Sequence, residues 1–251
     1  EPLDGRFRVE VTDERLLRVR LDADAELSAP YFLRRPRDGD LYHWRDQDSA
    51  VHTLPFAPPP LRVRFHGRLY GVDLEWTREV VHRYRDQAVG EVRRPLQVVP
   101  ALEISVDRDL VVRPSGRREA LPLRVELTRH REEPLAGELT VRVPEGWPRP
   151  QPVPFTLDGD RGQRLGIDLA VDVPADLATG RYEISVTVDG EEGRSLRLIE
   201  YEHIRPAALP ERARVAVHAA PMELPRVERV AYLRGASDRV PEMLEEVGLP
   251  L

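Results

Sequence analysis

Short runs in which apolar and polar residues alternate, bounded by glycine, proline and aspartate, occupy most of the chain, the pattern of antiparallel strands with one buried and one wet face. In the runs 7–11, 17–21 and 61–65, phenylalanine, leucine and valine alternate with arginine and glutamate. The same alternation returns at 123–127, 139–143, 165–171 and 182–188. Together with 104–106 and 196–199, these later runs predict about the number of strands of an immunoglobulin-like sandwich. Between them lie Pro144-Glu145-Gly146-Trp147-Pro148, Leu157-Asp158-Gly159-Asp160, the stretch 174–180 and Asp189-Gly190, where glycine or proline supplies the backbone angles of a reversal.

Prolines divide this strand-rich chain into regions. All 24 of them speak against a helical bundle, since each removes a helix hydrogen bond and crowds the preceding turn. The stretch 54–60 predicts a stiff loop, 95–100 a seam between two sandwiches, and 205–210 a softer second seam. The expected fold is therefore mainly β: a first β-sandwich over 1–99, a second immunoglobulin-like sandwich over 100–205, and over 206–251 a linker strand with the incomplete start of an α/β domain. Within that last region, 213–217 reads as one more strand, 229–233 as another, and 237–247 as a helix with polar capping residues and an early proline, closed by Gly248. Such a strand and helix make half a βαβ unit, so this last domain is expected to be cut short, and the opening Glu1-Pro2-Leu3-Asp4-Gly5 to belong to an excised piece.

Composition narrows the functional classes. Net charge is −6, and all 38 basic residues are arginine; lysine and asparagine are absent, a bias that suits a GC-rich genome and, as an alternative, a heat-tolerant protein. Acidic residues are interspersed with the arginines throughout, as in Arg131-Glu132-Glu133, which argues against the segregated basic face of a nucleic-acid binder. No run approaches the ~18 apolar residues of a membrane-spanning helix. Without cysteine there is neither a disulfide nor a thiolate ligand or nucleophile.

Candidate chemistry is sparse. No two of the seven histidines lie at the i, i+2 or i, i+4 spacing that presents two imidazoles to one metal. His43, Asp46 and Asp48 are the one polar constellation dense enough to consider for a cation, but an exposed loop explains them more simply. Asp38-Gly39-Asp40 and Asp158-Gly159-Asp160 imitate the opening of a calcium loop without its downstream glutamate, and read as hairpin turns. Arg113-Pro114-Ser115-Gly116 reads as a turn, not a nucleophile elbow, and Gly235-Ala236-Ser237 as helix capping. Among the aromatics, which include Tyr31, Trp76 and Tyr84, the residues Tyr42, Trp44 and Trp147 are the candidate glycan contacts of a carbohydrate-binding module, although Trp147 also suits a plug at a sandwich end.

Several stretches in succession resemble one family. These are Ala29-Pro30-Tyr31-Phe32-Leu33, residues 39–44, Phe56-Ala57-Pro58-Pro59, Tyr84-Arg85-Asp86, residues 90–100, Pro144-Glu145-Gly146-Trp147, Tyr201-Glu202-His203-Ile204 and residues 235–242. In order and spacing they resemble the middle and C-terminal part of long bacterial PIG-L (LmbE-like) deacetylases, zinc-dependent enzymes that remove the acetyl group from N-acetyl sugars. The resemblance implies NEW3-like β-sandwich domains after a catalytic domain and before an amidotransferase-like α/β domain. The family's His-x-Asp-Asp and His-x-x-His motifs do not occur in this sequence, so no catalytic or zinc-binding residue carries over, and zinc is expected only in the absent catalytic domain. The resemblance thus implies a non-catalytic accessory region whose partners are other domains of the same polypeptide, or carbohydrate, with no nucleic acid and no membrane span. The family also leans toward an extracytoplasmic setting. An independent metal-dependent hydrolase using His43, Asp46 and Asp48 is the remaining alternative.

Overall fold

A computed structural model describes residues 7–13, 16–22, 25–35, 37–43, 49–201, 203–235 and 240–251. The fold is mainly β, with seventeen strands and one α-helix among the described residues. Contacts divide the chain into two units, Glu1–Pro100 with Leu196–Pro210, and Ala101–Ser195 with Glu211–Leu251.

The first unit is built of hairpins. Strand β1 (Phe7–Asp13) pairs with β2 (Leu16–Leu21), β3 (Arg62–Leu69) with β4 (Val72–Glu79), and β5 (Val81–Asp86) with β6 (Gly90–Pro95), all antiparallel. Where two facing sheets are expected over 1–99, the described strands thus form separate two-stranded sheets. The turns account for the pairing: each strand closes on its neighbour in sequence, which pairs one edge of each strand and leaves the other edge open. At Tyr70 and Gly71 both φ angles are positive, 48° and 81°, the requirement of the tight turn that matches strand twist. In the β5–β6 turn, Asp86 Oδ1 accepts the N–H groups of Ala88 at 2.8 Å and Val89 at 3.1 Å. Those two bonds, Val89's the larger influence, hold the Asp86 carboxyl below the usual carboxylate range. The loops are tied as well, since Ser28 and Val98 exchange two hydrogen bonds and the buried Tyr31 hydroxyl donates to Leu54 O at 3.2 Å.

The second unit contributes β7 (Leu102–Val106), β8 (Leu110–Pro114), β9 (Leu121–Arg129), β10 (Leu135–Arg142), β11 (Val153–Leu157), β12 (Arg164–Val171), β13 (Gly180–Val188) and the short β14 (Glu191–Glu192). The chain then runs through β15 (Arg194–Ile199) and β16 (Ala207–Arg212), which pair with each other. It ends in β17 (Arg214–Ala220) and the helix α1 (Val240–Val247). One sheet has the order β12-β9-β7 and the other β11-β10-β13-β17-β8, with β14 added to β13.

Both sheets supply one core. Leu121, Leu123, Val125 and Leu127 of β9 are buried at every second position. They share a cluster with Val141 of β10, Phe155 and Leu157 of β11, Ile184 and Val186 of β13, and Val215 and Val217 of β17. Each such side chain contributes roughly 1.5–3 kcal/mol on burial, so this cluster is the main source of the unit's stability.

The last region departs from the sequence reading. The run 213–217, expected beyond the second seam, forms β17 inside this sheet, antiparallel to β13 with Val217 opposite Tyr182, and parallel to β8 with Val217 opposite Val111. Its buried Val215 and Val217 join the core cluster alongside residues of β10, β11 and β13. The expected strand at 229–233 is not one: none of these residues joins a ladder, and the Val230 N–H goes instead to Pro250 O at 2.7 Å. Helix α1 does form, and Gly248, at φ 102°, comes after it where a left-handed residue ends the helix.

At Gly193 a backbone carbonyl and two core side chains of the second unit close in on the chain. A Cβ there meets Val186 O at 2.8 Å, Ile104 Cδ1 at 3.0 Å and the Ala213 Cβ at 3.1 Å. Gly193→Ala is therefore expected to lower unfolding stability by about 1–3 kcal/mol, seen as a lower urea midpoint at unchanged slope. Gly116→Ala, where a Cβ meets no atom within 4 Å, isolates the separate cost of a positive φ.

Candidate functional site

In the second unit, polar chemistry collects at the end of β8. Val111 and Arg113 lie two residues apart on the same, inward face of the strand. Arg113 is only 5% exposed, yet no carboxylate hydrogen-bonds to it among the described residues. Its Nη2 donates to the carbonyls of Arg117, at 3.0 Å, and Glu119, so the guanidinium braces the turn leading to β9. Burial pushes its pKa below the ordinary arginine value, nearby Arg117 adds to that, and Glu119 opposes it.

Arg129 repeats the device. Fully buried, it donates from Nη1 to Leu157 O at 3.0 Å and from Nη2 to Gly159 O, bracing the loop from β11 to β12. A rigid fork of five donors suits this task, because one side chain reaches two carbonyls of a turn at once. His130 and Glu103 form a third partly buried contact, with Nε2 and Oε2 2.8 Å apart.

Beside Arg113 opens a cleft of about 550 Å³ between β8, residues 117–122 and one face of α1. Three arginines, Arg108, Arg113 and Arg117, face Asp109, Glu242, Glu245 and Glu246 around it. Arg108 bonds to Asp107 at 2.7 Å and lies 3.5 Å from Glu246; the Asp107 bond outweighs burial and raises its pKa. Arg117 Nη1 donates to the Glu246 carbonyl in the last turn of α1, where a cation meets both an open carbonyl and the negative end of the helix dipole. These arginines hold the helix down. Both signs of charge thus line the wall of the cleft, with α1 as one side of it.

The residues singled out from the sequence fall elsewhere. Trp147 is 6% exposed and belongs to the core, its ring 5.7 Å from that of Tyr182. This burial suits the plug at a sandwich end better than a glycan contact. Tyr42 is exposed, in edge-to-face contact with Phe32 at 5.7 Å and with the Arg37 guanidinium 5.7 Å from its ring centroid. Trp44, Asp46 and Asp48 lie outside the described residues. His43 is exposed, and among the described residues no three of His, Asp and Glu are grouped to hold a metal ion. Asp38-Gly39-Asp40 is a turn, closed by paired hydrogen bonds between Asp38 and Leu41. No described helix is long and apolar enough to cross a membrane.

The feature that sequence reasoning passes over is the β3–β4 hairpin. Its alternation reads as half-buried, yet Phe65, Leu69, Val72, Leu74 and Trp76 all stay exposed, as does Tyr70 at the tip. Phe65 and Trp76, paired across the strands, stack with centroids 5.3 Å apart and planes 13° from parallel. No protein-family model matches the chain, and no curated protein matches it either.

If Arg117 secures α1, Arg117→Ala should speed amide exchange in the helix by about fivefold, the ~1 kcal/mol of a helix-terminal cation, and leave the amides of β9 and β13 unchanged. Equal loosening throughout the unit would show that the contact is not local.

Proposed function

We propose that this chain is a non-catalytic, architectural region of a multidomain protein, whose work is to make contacts that position a catalytic domain or join subunits. The observation that carries this reading is the β3–β4 hairpin, a regular two-stranded sheet with an apolar face open to solvent. Soluble proteins seldom leave a contiguous apolar patch of this kind without a use for it as an interaction surface. A second support is the employment of the buried cations Arg113 and Arg129, each committed to turn carbonyls and thus to shape. For the parent protein, the succession of motifs from Ala29 to Glu242 supports a PIG-L-like N-acetyl-sugar deacetylase with NEW3-like sandwich domains, and thereby zinc in a separate catalytic domain.

The test is direct. Purified chain, supplied with zinc and N-acetylglucosamine conjugates, is expected to release no free amine above a buffer blank, whereas the open reading frame upstream of the Glu1 codon is expected to contain a His-x-Asp-Asp segment. Turnover by the chain alone would overturn the architectural reading, and an upstream frame without that segment would overturn the family.

A further inference from the structure

Around the cleft beside α1, some charged groups are matched and others are not. Arg108 is held by Asp107 and Glu246, Arg117 by Glu119 and the Glu246 carbonyl, and Glu242 by Arg234. Three groups on the same wall are left over. The carboxylates of Asp109 and Glu245, both on exposed residues, make no hydrogen bond or ion pair among the described residues. Arg113, only 5% exposed, donates from Nη2 alone, one N–H to each of two turn carbonyls. Its Nε is buried without an acceptor, and Nη1 has none among the described residues. The Glu119 carboxylate nearby is taken by Arg117. A buried cation in this condition is costly, because neither a counter-ion nor a full set of hydrogen bonds replaces the water it has lost.

We propose that this cleft binds a small zwitterion, a molecule with a carboxylate at one end, an ammonium group at the other and an apolar spacer between them. The carboxylate accepts the unfilled Nη1 donors of Arg113, and the ammonium group meets Asp109 and Glu245. The spacer lies against Leu110 and Met243, which line the cleft and are 47% and 54% exposed. Three observations support this ligand over simpler ones. The first is the unmatched charge. An inorganic anion would enter a wall on which four carboxylates outnumber three arginines, and a simple cation would leave Arg113 unmatched. The second is the donor: a guanidinium stays charged when buried, and its planar N–H groups suit a carboxylate. The third is size, since a cleft of about 550 Å³ falls within the range of roughly 300–1,000 Å³ of small-molecule sites and has apolar wall between its charged groups.

The site goes beyond the architectural reading and does not rest on it, since holding a zwitterion requires no turnover. Titration of the full chain with 6-aminohexanoate tests it, followed by calorimetry and by the arginine side-chain N–H signals in proton–nitrogen correlation spectra. The expected dissociation constant is about 1 mM or below, as for a compact ligand of this size, and the Arg113 Nε–H signal should shift as the site fills. Hexanoate and hexylamine, each lacking one charged end, should bind at least ~10-fold more weakly, the loss of one charge-assisted contact. In the double variant Asp109→Asn, Glu245→Gln, which changes only exposed side chains, the preference for 6-aminohexanoate over hexanoate should shrink to about twofold or less. Absence of heat and of any shift up to about 20 mM ligand would overturn the proposal. So would hexanoate binding as tightly as 6-aminohexanoate, or binding that leaves the Arg113 signal in place. None of these outcomes touches the amine-release assay, so the ligand site and the architectural reading fail separately.

Discussion

The burial of one apolar cluster between two sheets is the interaction on which the second unit depends. Strand β9 presents four buried residues to one side, and they share a cluster with residues of β10, β11, β13 and β17 in the other sheet. Strand β17 is decisive because it joins β13 to β8, antiparallel to one and parallel to the other, and so unites strands far apart in sequence. The close contact at Gly193 belongs to the same arrangement, since Val186, Ile104 and Ala213 converge there from three different segments.

That core also explains the buried arginines. A guanidinium taken out of water costs several kcal/mol unless its donors are satisfied, and a turn supplies the carbonyls without adding a second charge. Arg113 and Arg129 thereby fix the connections that enter β9 and β12, the two longest strands of the smaller sheet. Only the terminal nitrogens are served in this way; the Nε of each arginine is buried without a partner. Polar groups with the raw potential for chemistry are in this way tied to holding shape, and the same holds in the cleft beneath α1, where the arginines serve the helix end and neighbouring carboxylates. The apolar hairpin of the first unit stands in contrast as the place where greasy surface is left open.

Much of the strand content was legible in the sequence, because period-2 alternation is a local property. The runs around β9, β10, β12 and β13 declare themselves through leucine and valine spaced two apart, and the turns at Gly146 and Gly190 through positive φ that glycine adopts freely. Pairing partners were not legible. Nothing local to 213–217 says that this strand returns between β13 and β8, and nothing in 229–233 says that no ladder awaits it. Exposure was also hidden: Phe65 and Trp76 alternate just as Leu123 and Val125 do, but a neighbouring sheet covers only the second pair. Trp147 shows the converse, an aromatic in a Pro-Gly turn that looks available and is enclosed.

Native-state hydrogen exchange tests most directly whether the two sheets form a single cooperative unit around their shared core. Amides of β17 should exchange with the same opening free energy as those of β9 in the opposite sheet, to within about 1 kcal/mol, as members of one foldon do. Amides of β17 that open several kcal/mol more easily while β9 stays protected would mean that the strand is an appendage, and that the core closes without it.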